Sequence, residues 1–299
     1  MKIVQSLWTK PGKKKGRNTL AEENKCGWLD KKYNYFSWTL SSLQFRKYYD
    51  QVELVTDQEG YDLLINKLEL PYSNVEVVLD NLNHYHEDLF MLGKLYAYQI
   101  QKEPFIHVDA DVFIFNKFSD ELEQSGVLCQ SKEEGEFYNK HYSDIFFSML
   151  RNFNYYPPEL DESIIRNSAI KAVNAGIIGG CDLQFFSDYT KKAFEFIDKN
   201  IDRLHTIDVS YSNIIFEQFL LFALAEHKKV NIQYLNLNWD TFLSDIVDFT
   251  CVPNKQQYLH LYATHKKIRY LVDCMEYRLQ KDYPAHYYKI MNLIRTHQI

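Results

Sequence analysis

The sequence contains no long apolar run, and this excludes a conventional membrane-spanning helix. No segment approaches the roughly 20 consecutive apolar residues that a helix needs to cross a bilayer. The longest candidate, residues 214–225, is interrupted by Glu217 and Gln218. The apolar stretch within residues 1–8 is too short for a signal peptide. We therefore expect a protein without a transmembrane segment.

The sequence also lacks a cysteine framework. Its five cysteines are widely spaced, and no Cys-x-x-Cys motif occurs: Cys26, Cys129, Cys181, Cys251 and Cys274. An odd number of separated cysteines is typical of a reducing compartment, where disulfides are rare. The cysteine pattern therefore predicts a cytoplasmic location.

An excess of positive charge is missing as well. The formal net charge is -6, which argues against a general nucleic-acid-binding protein. A local basic cluster lies in residues 10–17 and contains Lys10, Lys13, Lys14, Lys15 and Arg17. Pro11, Gly12 and Gly16 among them predict a loop. This loop is either a solvated surface turn or a mobile segment that meets phosphates or an anionic acceptor.

Apolar and aromatic residues are abundant. The 299 residues are 46% hydrophobic, enough for a substantial core, and 16% aromatic, with 23 Tyr and 20 Phe. Tyr and Phe mostly pack cores, but their rings also line sugar and base sites.

Short strand and helix patterns alternate over the first part of the chain. Apolar runs predict strands, and apolar residues at helical spacing predict helices, in the order 2–8 (strand), 36–49 (helix), 52–57 (strand), 61–68 (helix), 75–79 (strand) and 89–101 (helix). This alternation predicts an α/β fold with a mainly parallel sheet flanked by helices. Ligands of such sheets bind beyond the carboxyl ends of strands, where Thr56 and Asp57 lie. Asp57 either contacts a nucleotide or initiates a turn.

The most informative motif is the acidic pair Asp109 and Asp111, set within the apolar run 104–115 and separated only by Ala110. Residues i and i+2 of a strand face the same side, so we expect both carboxylates to project together from a strand end. Two close carboxylates repel unless something neutralises them, and Mg²⁺ or Mn²⁺ prefers such oxygen ligands. The alternative is a strand that ends in two solvated acids.

Later segments contain further candidate residues. Residues 131–167 interrupt the alternation, and within them the stretch that begins at Glu136 predicts an aromatic-rich helix that ends before Pro157 and Pro158. This insert either shapes a substrate pocket or serves only for packing. The segment 173–180 contains three glycines and predicts a tight strand beside a substrate or a close strand crossing. Glu217 and Gln218 lie near the start of a predicted helix at 212–227.

The C-terminal part adds histidines and lysines. His260, His265, Lys266 and Lys267 occur together, and an imidazole can complete a metal site begun by two carboxylates. A nearby lysine can bind a phosphate. The basic and aromatic segment 275–299 predicts a helix that lies on the domain or makes a weak membrane-surface contact.

Together these motifs resemble the GT-A-type nucleotide-sugar glycosyltransferases, most closely the retaining glycogenin-like branch and its bacterial lipopolysaccharide relatives. Residues 105–111 are similar to that branch's strand with the Asp-x-Asp motif, and Lys94 to its basic residue at the donor diphosphate. Asn174-Ala175-Gly176 resembles its Asn-(Ser/Ala)-Gly segment. Glu217-Gln218 is similar to its acidic-Gln pair. His260 to Lys266 resembles its His-x-x-Gly-x-x-Lys motif, with Ala263 in place of the glycine.

The resemblance implies a single GT-A (Rossmann-like) domain over residues 1–299, with a nucleotide-binding half to about residue 115 and an acceptor-binding half from about residue 116. It implies a metal-dependent, retaining, hexosyltransferase-like enzyme. Such an enzyme moves a sugar from a nucleoside diphosphate sugar to a glycan or lipid-linked saccharide, with Mn²⁺ or Mg²⁺ as cofactor.

The resemblance also implies residue roles. The metal ligands would be Asp109, Asp111 and His260. The donor nucleotide would contact Trp8, Thr56, Asp57, Lys94, Asp109, Ala110 and Lys266. The sugar and acceptor would contact Asn174, Ala175, Gly176 and Glu217. Catalytic roles would fall to Glu217, Gln218 and Asn174.

Two alternatives remain open. A sugar-1-phosphate nucleotidyltransferase has a similar sheet but releases pyrophosphate rather than a nucleoside diphosphate. A non-catalytic GT-A-like domain would bind an anionic glycan or partner through the basic loop, without metal dependence.

Overall fold

The computed structural model describes residues 1–13, 25–236 and 245–299 of the chain. Within these ranges the strands are β1 (Lys2–Leu7), β2 (Val52–Thr56), β3 (Asn74–Val77), β4 (Phe105–Val108), β5 (Val112–Ile114), β6 (Val127–Glu133), β7 (Ala172–Gly180), β8 (Ile232–Asn236) and β9 (Tyr258–His260).

The α-helices in the same ranges are α1 (Lys31–Tyr48), α2 (Gln58–Tyr61), α3 (Leu92–Gln99), α4 (Asp120–Glu123), α5 (Glu136–Asn152), α6 (Pro158–Asn167), α7 (Leu183–Asp198), α8 (Val209–Ile214), α9 (Leu220–Lys228), α10 (Arg269–Asp282) and α11 (Pro284–Arg295). Two π-helical turns cover Asp62–Lys67 and Ile215–Phe219. Short 3-10 helices cover Lys10–Lys13, Leu79–Leu82, Ile201–Thr206, Asp245–Val247, Phe249–Cys251 and Ala263–Lys267. None of the described helices is both long and apolar enough to span a bilayer.

The described strands form a seven-stranded sheet in the order β3-β2-β1-β4-β7-β6-β8, and β5 pairs with β9 in a separate antiparallel ladder. Strand β2 runs parallel to β1 and to β3, and β6 runs parallel to β8 but antiparallel to β7. Helix α1 packs on β2, and α9 packs on β7. The predicted α/β class with a mainly parallel sheet is confirmed.

Continuous burial explains why these segments form central strands. All residues of β2 and all of β7 are buried, as expected for strands that are covered on both faces. In β7, a Cβ atom on Gly179 would lie only 2.1 Å from the carbonyl oxygen of Phe105. Position 179 therefore requires glycine, because the backbone of β4 passes too close for a side chain. This agrees with the close strand crossing predicted for residues 173–180.

The chain divides into two compact units, each built from separate segments. The first comprises Met1–Glu87, Val108–Phe118 and Asp240–Ile299, and the second comprises Asp88–His107 and Ser119–Trp239. Within the first, α1 packs against α10 and α11, and within the second, α7 packs against α3 and α6 against α9. The expected functional halves on either side of residue 115 stay a prediction, because the compact units cross that position.

Several predicted helices differ from the observed ones at their ends. Helix α1 begins at Lys31 rather than residue 36, because the Asp30 carboxylate accepts from the N–H of Lys32 and caps the helix. The helix predicted for 212–227 is interrupted by the π-helical turn Ile215–Phe219. The C-terminal segment forms two helices rather than one, because Pro284 starts a new helix.

Candidate functional site

The acidic pair lies in the turn that joins β4 to β5. Strand β4 ends at Val108, and the N–H of Val112 donates to the carbonyl oxygen of Asp109 at 3.1 Å. The expectation that strand alternation aligns Asp109 and Asp111 is therefore wrong. A reversal of the chain brings the two carboxylates together, because the chain turns there into a different ladder.

That ladder carries the third candidate ligand. Val112 lies opposite His260 in the β5–β9 pair, and the N–H of Leu261 donates to the carbonyl oxygen of Asp111 at 3.0 Å. The ring nitrogen Nε2 of His260 is consequently 3.4 Å from a carboxylate oxygen of Asp111. Asp109, Asp111 and His260 each offer one ligand atom, and these atoms lie within 4.8 Å of one another. We call these three candidate metal ligands the metal cluster.

Lys266 contributes a positive charge to the metal cluster. Its Nζ lies 2.7 Å from Asp111 Oδ2 and 5.4 Å from the ring centroid of Trp28. Burial by itself would raise the pKa of Asp111, but the Lys266 ammonium and the His260 imidazole outweigh it and hold that pKa far below its usual range. Burial would lower the pKa of Lys266, but Asp111 raises it above its usual value. Both groups therefore stay charged.

Asp57 and Thr56, predicted to bind the donor nucleotide, are buried and bonded within the first unit. The Asp57 carboxylate accepts from the N–H of Thr9 at 2.7 Å and from the N–H of Gly60 at 2.8 Å, so it caps α2. The Thr56 hydroxyl donates to the carbonyl oxygen of Leu7 at 2.8 Å. These contacts favour the turn-initiating interpretation of Asp57, and a donor role for either residue stays a prediction.

Trp8 and the described part of the basic loop also have partners in the first unit. The Trp8 indole N–H donates to Asn83 Oδ1 at 3.1 Å, and Lys10 donates to the carbonyl oxygen of Asn83 at 2.8 Å. Lys13 forms an ion pair with Glu59. Lys14, Lys15 and Arg17 lie outside the described residues. The contacts of Lys10 and Lys13 thus favour the interpretation of this loop as a surface turn. Contact of the loop with an anionic ligand stays a prediction.

A second set of predicted site residues comes together in the second unit, around Glu217. The Nζ atom of Lys94 lies 2.8 Å from Glu217 Oε1 and donates to the carbonyl oxygen of Ala175 at 3.0 Å. The Tyr98 hydroxyl donates to the same Glu217 oxygen at 3.2 Å. Glu217 is only 4% exposed and lies in a π-helical turn, a distortion frequent at functional sites. A buried carboxylate is thus neutralised by a lysine that the resemblance assigns to the donor diphosphate.

Asn174 and Gln218 meet at a buried carboxylate that the sequence analysis missed, Glu133. Asn174 accepts from the N–H of Gly176 and donates to Glu133 Oε1, each at 3.0 Å. The Tyr142 hydroxyl donates to Glu133 Oε2 at 2.5 Å. Burial, followed by the charge of Glu133, raises the pKa of Tyr142 well above its usual value. The available signal was the position of Glu133 at the end of a short segment that begins with the apolar residues 127–129, which is weak by itself.

The structure thus groups the predicted residues into two sets. Asp109, Asp111, His260 and Lys266 belong to one, in the first unit. Lys94, Asn174, Ala175, Gly176, Glu217 and Gln218 belong to the other, in the second unit. Ala110 lies in the turn between the two ligand carboxylates, where its carbonyl oxygen accepts from the Ser37 hydroxyl at 2.6 Å.

A family model described as "Family of unknown function (DUF6734)" matches residues 1–293. No curated protein matches the chain. Among solved structures, the chain is similar to mouse xyloside xylosyltransferase 1 in its apo form, with 12% sequence identity and a TM-score of 0.39. The alignment covers 87% of this chain and 96% of that one.

Proposed function

The chain belongs to the Family of unknown function (DUF6734), and we propose that it is a metal-dependent glycosyltransferase that moves a sugar from a nucleoside diphosphate sugar to an acceptor. The observation that carries the proposal is the metal cluster, whose ligand atoms lie within 4.8 Å of one another beside the ammonium of Lys266. Two carboxylates with one imidazole leave positions for diphosphate oxygens.

The donor atoms fit a hard divalent cation. An octahedral ion with ligands at about 2.1 Å separates neighbouring ligand atoms by about 3 Å and opposite ones by about 4.2 Å. The 3.4 Å between His260 Nε2 and an Asp111 oxygen is close to the value for neighbouring ligand atoms, and the 4.8 Å limit on all separations is close to the value for opposite ones. Two carboxylates and a neutral imidazole suit Mn²⁺ or Mg²⁺. When bound, such an ion stabilises the negative charge that develops on the departing diphosphate.

The protein's own residues take complementary roles in this proposal. Lys266 neutralises diphosphate oxygens beside the metal cluster, and Lys94 does the same where the resemblance places it. Glu217 orients the acceptor or steadies an oxocarbenium-like sugar, with Gln218 and Asn174 at the sugar. The resemblance assigns nucleotide contacts to Trp8, Thr56, Asp57 and Ala110, and sugar contacts to Ala175 and Gly176. Retention of configuration follows from the resemblance.

A thermal-shift panel of nucleotides and nucleotide sugars, with and without Mn²⁺, tests the proposal. We expect one nucleoside diphosphate to raise the melting temperature by roughly 5 °C at a hundredfold excess over its Kd. Asp111→Asn should abolish this shift, because it removes one ligand charge from the metal cluster. The exposed Asp62→Asn should leave it intact, since Asp62 pairs with Asn66 and Lys67 on its own π-helical turn.

Product analysis after incubation with the same nucleotide sugars and Mn²⁺ separates the alternatives. Release of a nucleoside diphosphate supports glycosyl transfer, whereas release of pyrophosphate indicates a nucleotidyltransferase. Absence of any nucleotide-dependent shift in the wild-type protein contradicts the proposal and favours a binding domain.

We further propose a cytoplasmic location and a saccharide acceptor. All five cysteines are free thiols, as a reducing compartment permits. A weak contact of the C-terminal helices with a membrane surface is a related proposal. It is supported by the exposed side chains of Tyr270, Tyr277 and Tyr288 on α10 and α11.

A further inference from the structure

We propose that Glu133 is a positioning residue for sugar transfer, which holds the side-chain amides of Asn174 and Gln218 in one orientation. The inference rests on the proposed function, because the orientation of these amides affects chemistry only if a sugar binds beside them.

Glu133 connects donors from separate parts of the second unit. It ends β6 and is only 7% exposed. Asn174 of β7 donates to Oε1 at 3.0 Å, and Tyr142 of α5 donates to Oε2 at 2.5 Å. The Gln218 amide of the π-helical turn satisfies its hydrogen bonds when its nitrogen donates to Glu133 Oε2 at 3.2 Å and to the carbonyl oxygen of Val173 at 2.8 Å. One carboxylate thus fixes three side chains.

The chemistry of a carboxylate makes this arrangement directional. An ionised carboxylate only accepts hydrogen bonds, so the nitrogen of each neighbouring amide must point toward it. The oxygen of Asn174 then points to the N–H of Gly176, which fixes the backbone of the Ala175–Gly176 segment. The two ends of an amide have nearly the same shape, so packing alone selects its orientation poorly. Glu133 supplies the polarity that selects it.

Glutamine at position 133 would break this polarity without changing the shape. If its nitrogen replaced Oε1, it would face the nitrogen of Asn174. If its nitrogen replaced Oε2, it would face the nitrogen of Gln218. In either case one of the two amides must reverse. Aspartate at this position, by contrast, keeps the negative charge and shortens the side chain by one methylene group.

The next residue along the chain provides a matched control. Glu134 is 47% exposed, and its carboxylate lies 3.3 Å from Lys132 and 3.2 Å from Lys171. It differs from Glu133 mainly in facing outward, so its loss should affect only surface ion pairs of small energy.

The experiment measures nucleoside diphosphate release from the preferred nucleotide sugar with Mn²⁺, together with melting temperature, for wild type, Glu133→Gln, Glu133→Asp and Glu134→Gln. We expect Glu133→Gln to lower kcat by about 10- to 100-fold, with donor KM changed by less than about threefold, because misplaced groups penalise mainly the chemical step. Glu133→Asp should recover part of the loss, and Glu134→Gln should match wild type.

The double variant of Glu133→Gln with Asn174→Ala tests the route of the effect. If Glu133 acts through Asn174, the double variant should lose less activity than the product of the two single losses. Fully multiplicative losses, or a Glu133→Gln protein with a lower melting temperature but an unchanged kcat, would overturn the positioning role alone. A wild-type protein that releases no nucleoside diphosphate from any nucleotide sugar would overturn the proposed function, and the positioning role with it.

Discussion

Lys266 controls the charge balance of the metal cluster, because its ammonium lies 2.7 Å from an Asp111 oxygen. A divalent cation held by the metal cluster would interact with the same carboxylate as this ammonium, and the two positive charges would repel each other. Under the proposed function, however, the ammonium also attracts the donor diphosphate. Lys266 therefore weakens binding of the cation and strengthens binding of the diphosphate.

Replacing Lys266 should consequently change two affinities in opposite directions. We expect Lys266→Met to bind Mn²⁺ more tightly in the absence of nucleotide and to bind the nucleoside diphosphate more weakly. A change of about 1.4 kcal/mol in either interaction corresponds to tenfold in Kd. Isothermal titration with Mn²⁺ alone, and then with the nucleotide at saturating Mn²⁺, measures both.

The neighbouring exposed Lys267 provides the control, since Lys267→Met removes the same charge one residue away. Weaker binding of both ligands to Lys266→Met would show that Lys266 stabilises the metal cluster rather than competing with the cation.

At the scale of elements, the turn between His260 and Lys266 contains a conformational irregularity. Ala263 adopts a positive φ of 48° at the start of the 3-10 helix Ala263–Lys267. This left-handed region disfavours any residue with a Cβ atom. The motif that this segment resembles has glycine at the same position, and glycine adopts the conformation without strain. The chain thus retains the turn despite an unfavourable residue.

Ala263→Gly should therefore stabilise the protein. Relief of strain gains about 1–2 kcal/mol, and the greater freedom of glycine in the unfolded chain offsets part of it, so we expect a net gain of about 0.5–1 kcal/mol in the free energy of unfolding. Urea denaturation measures this change.

The same exchange inside a helix should have the opposite sign. Ala225 lies buried in α9, and Ala225→Gly should cost about 1 kcal/mol or more. If Ala263→Gly destabilises the protein as much as Ala225→Gly does, the turn is not strained.

Sequence patterns predicted the helices and strands whose residue pattern lies within a single short segment of the chain. Strands β1 and β2 follow directly from apolar runs, because both strands bury apolar side chains. Helices α1 and α3 were predicted from apolar residues at helical spacing. The position of Asp109 and Asp111 in a turn was missed, since the β5–β9 pairing that causes it joins distant segments. Glu133 was missed for the same reason: its partners come from β7, α5 and the π-helical turn. Ligand chemistry linked a histidine of the 260–267 segment to the acidic pair in advance, and the motif resemblance selected His260 rather than His265.

At the scale of the whole molecule, buried tyrosines set a limit to stability at high pH. Burial, with the nearby Asp273, raises the pKa of Tyr33 to about 12, and burial with Asp282 raises that of Tyr283 to about 12. Burial, with neighbouring acidic groups, raises the pKa values of Tyr142 and Tyr189 well above 10. In the unfolded chain these phenols ionise near pH 10.

Each such phenol stabilises the fold fully below about pH 10, and this contribution is lost as pH rises toward the folded pKa. We expect the free energy of unfolding to fall above pH 10 by roughly 1.4 kcal/mol per pH unit for each buried tyrosine. Urea denaturation at pH 9, 10 and 11 measures the decline. Tyr33→Phe should make it shallower, whereas an equal slope in both proteins would show that the Tyr33 phenol ionises freely in the folded state.

The interleaved segments of the two units impose an order on biosynthesis. The second unit consists of Asp88–His107 and Ser119–Trp239, so the ribosome has made all of it before residue 240. The first unit must wait for Asp240–Ile299, the segment that carries His260 and Lys266. A nascent chain that stops near residue 240 contains Asp109 and Asp111 of the metal cluster but lacks His260 and Lys266. Under the proposed function, the metal site would therefore be completed late in translation, and a prematurely terminated polypeptide would compete only weakly with the finished protein for the cell's free divalent cations.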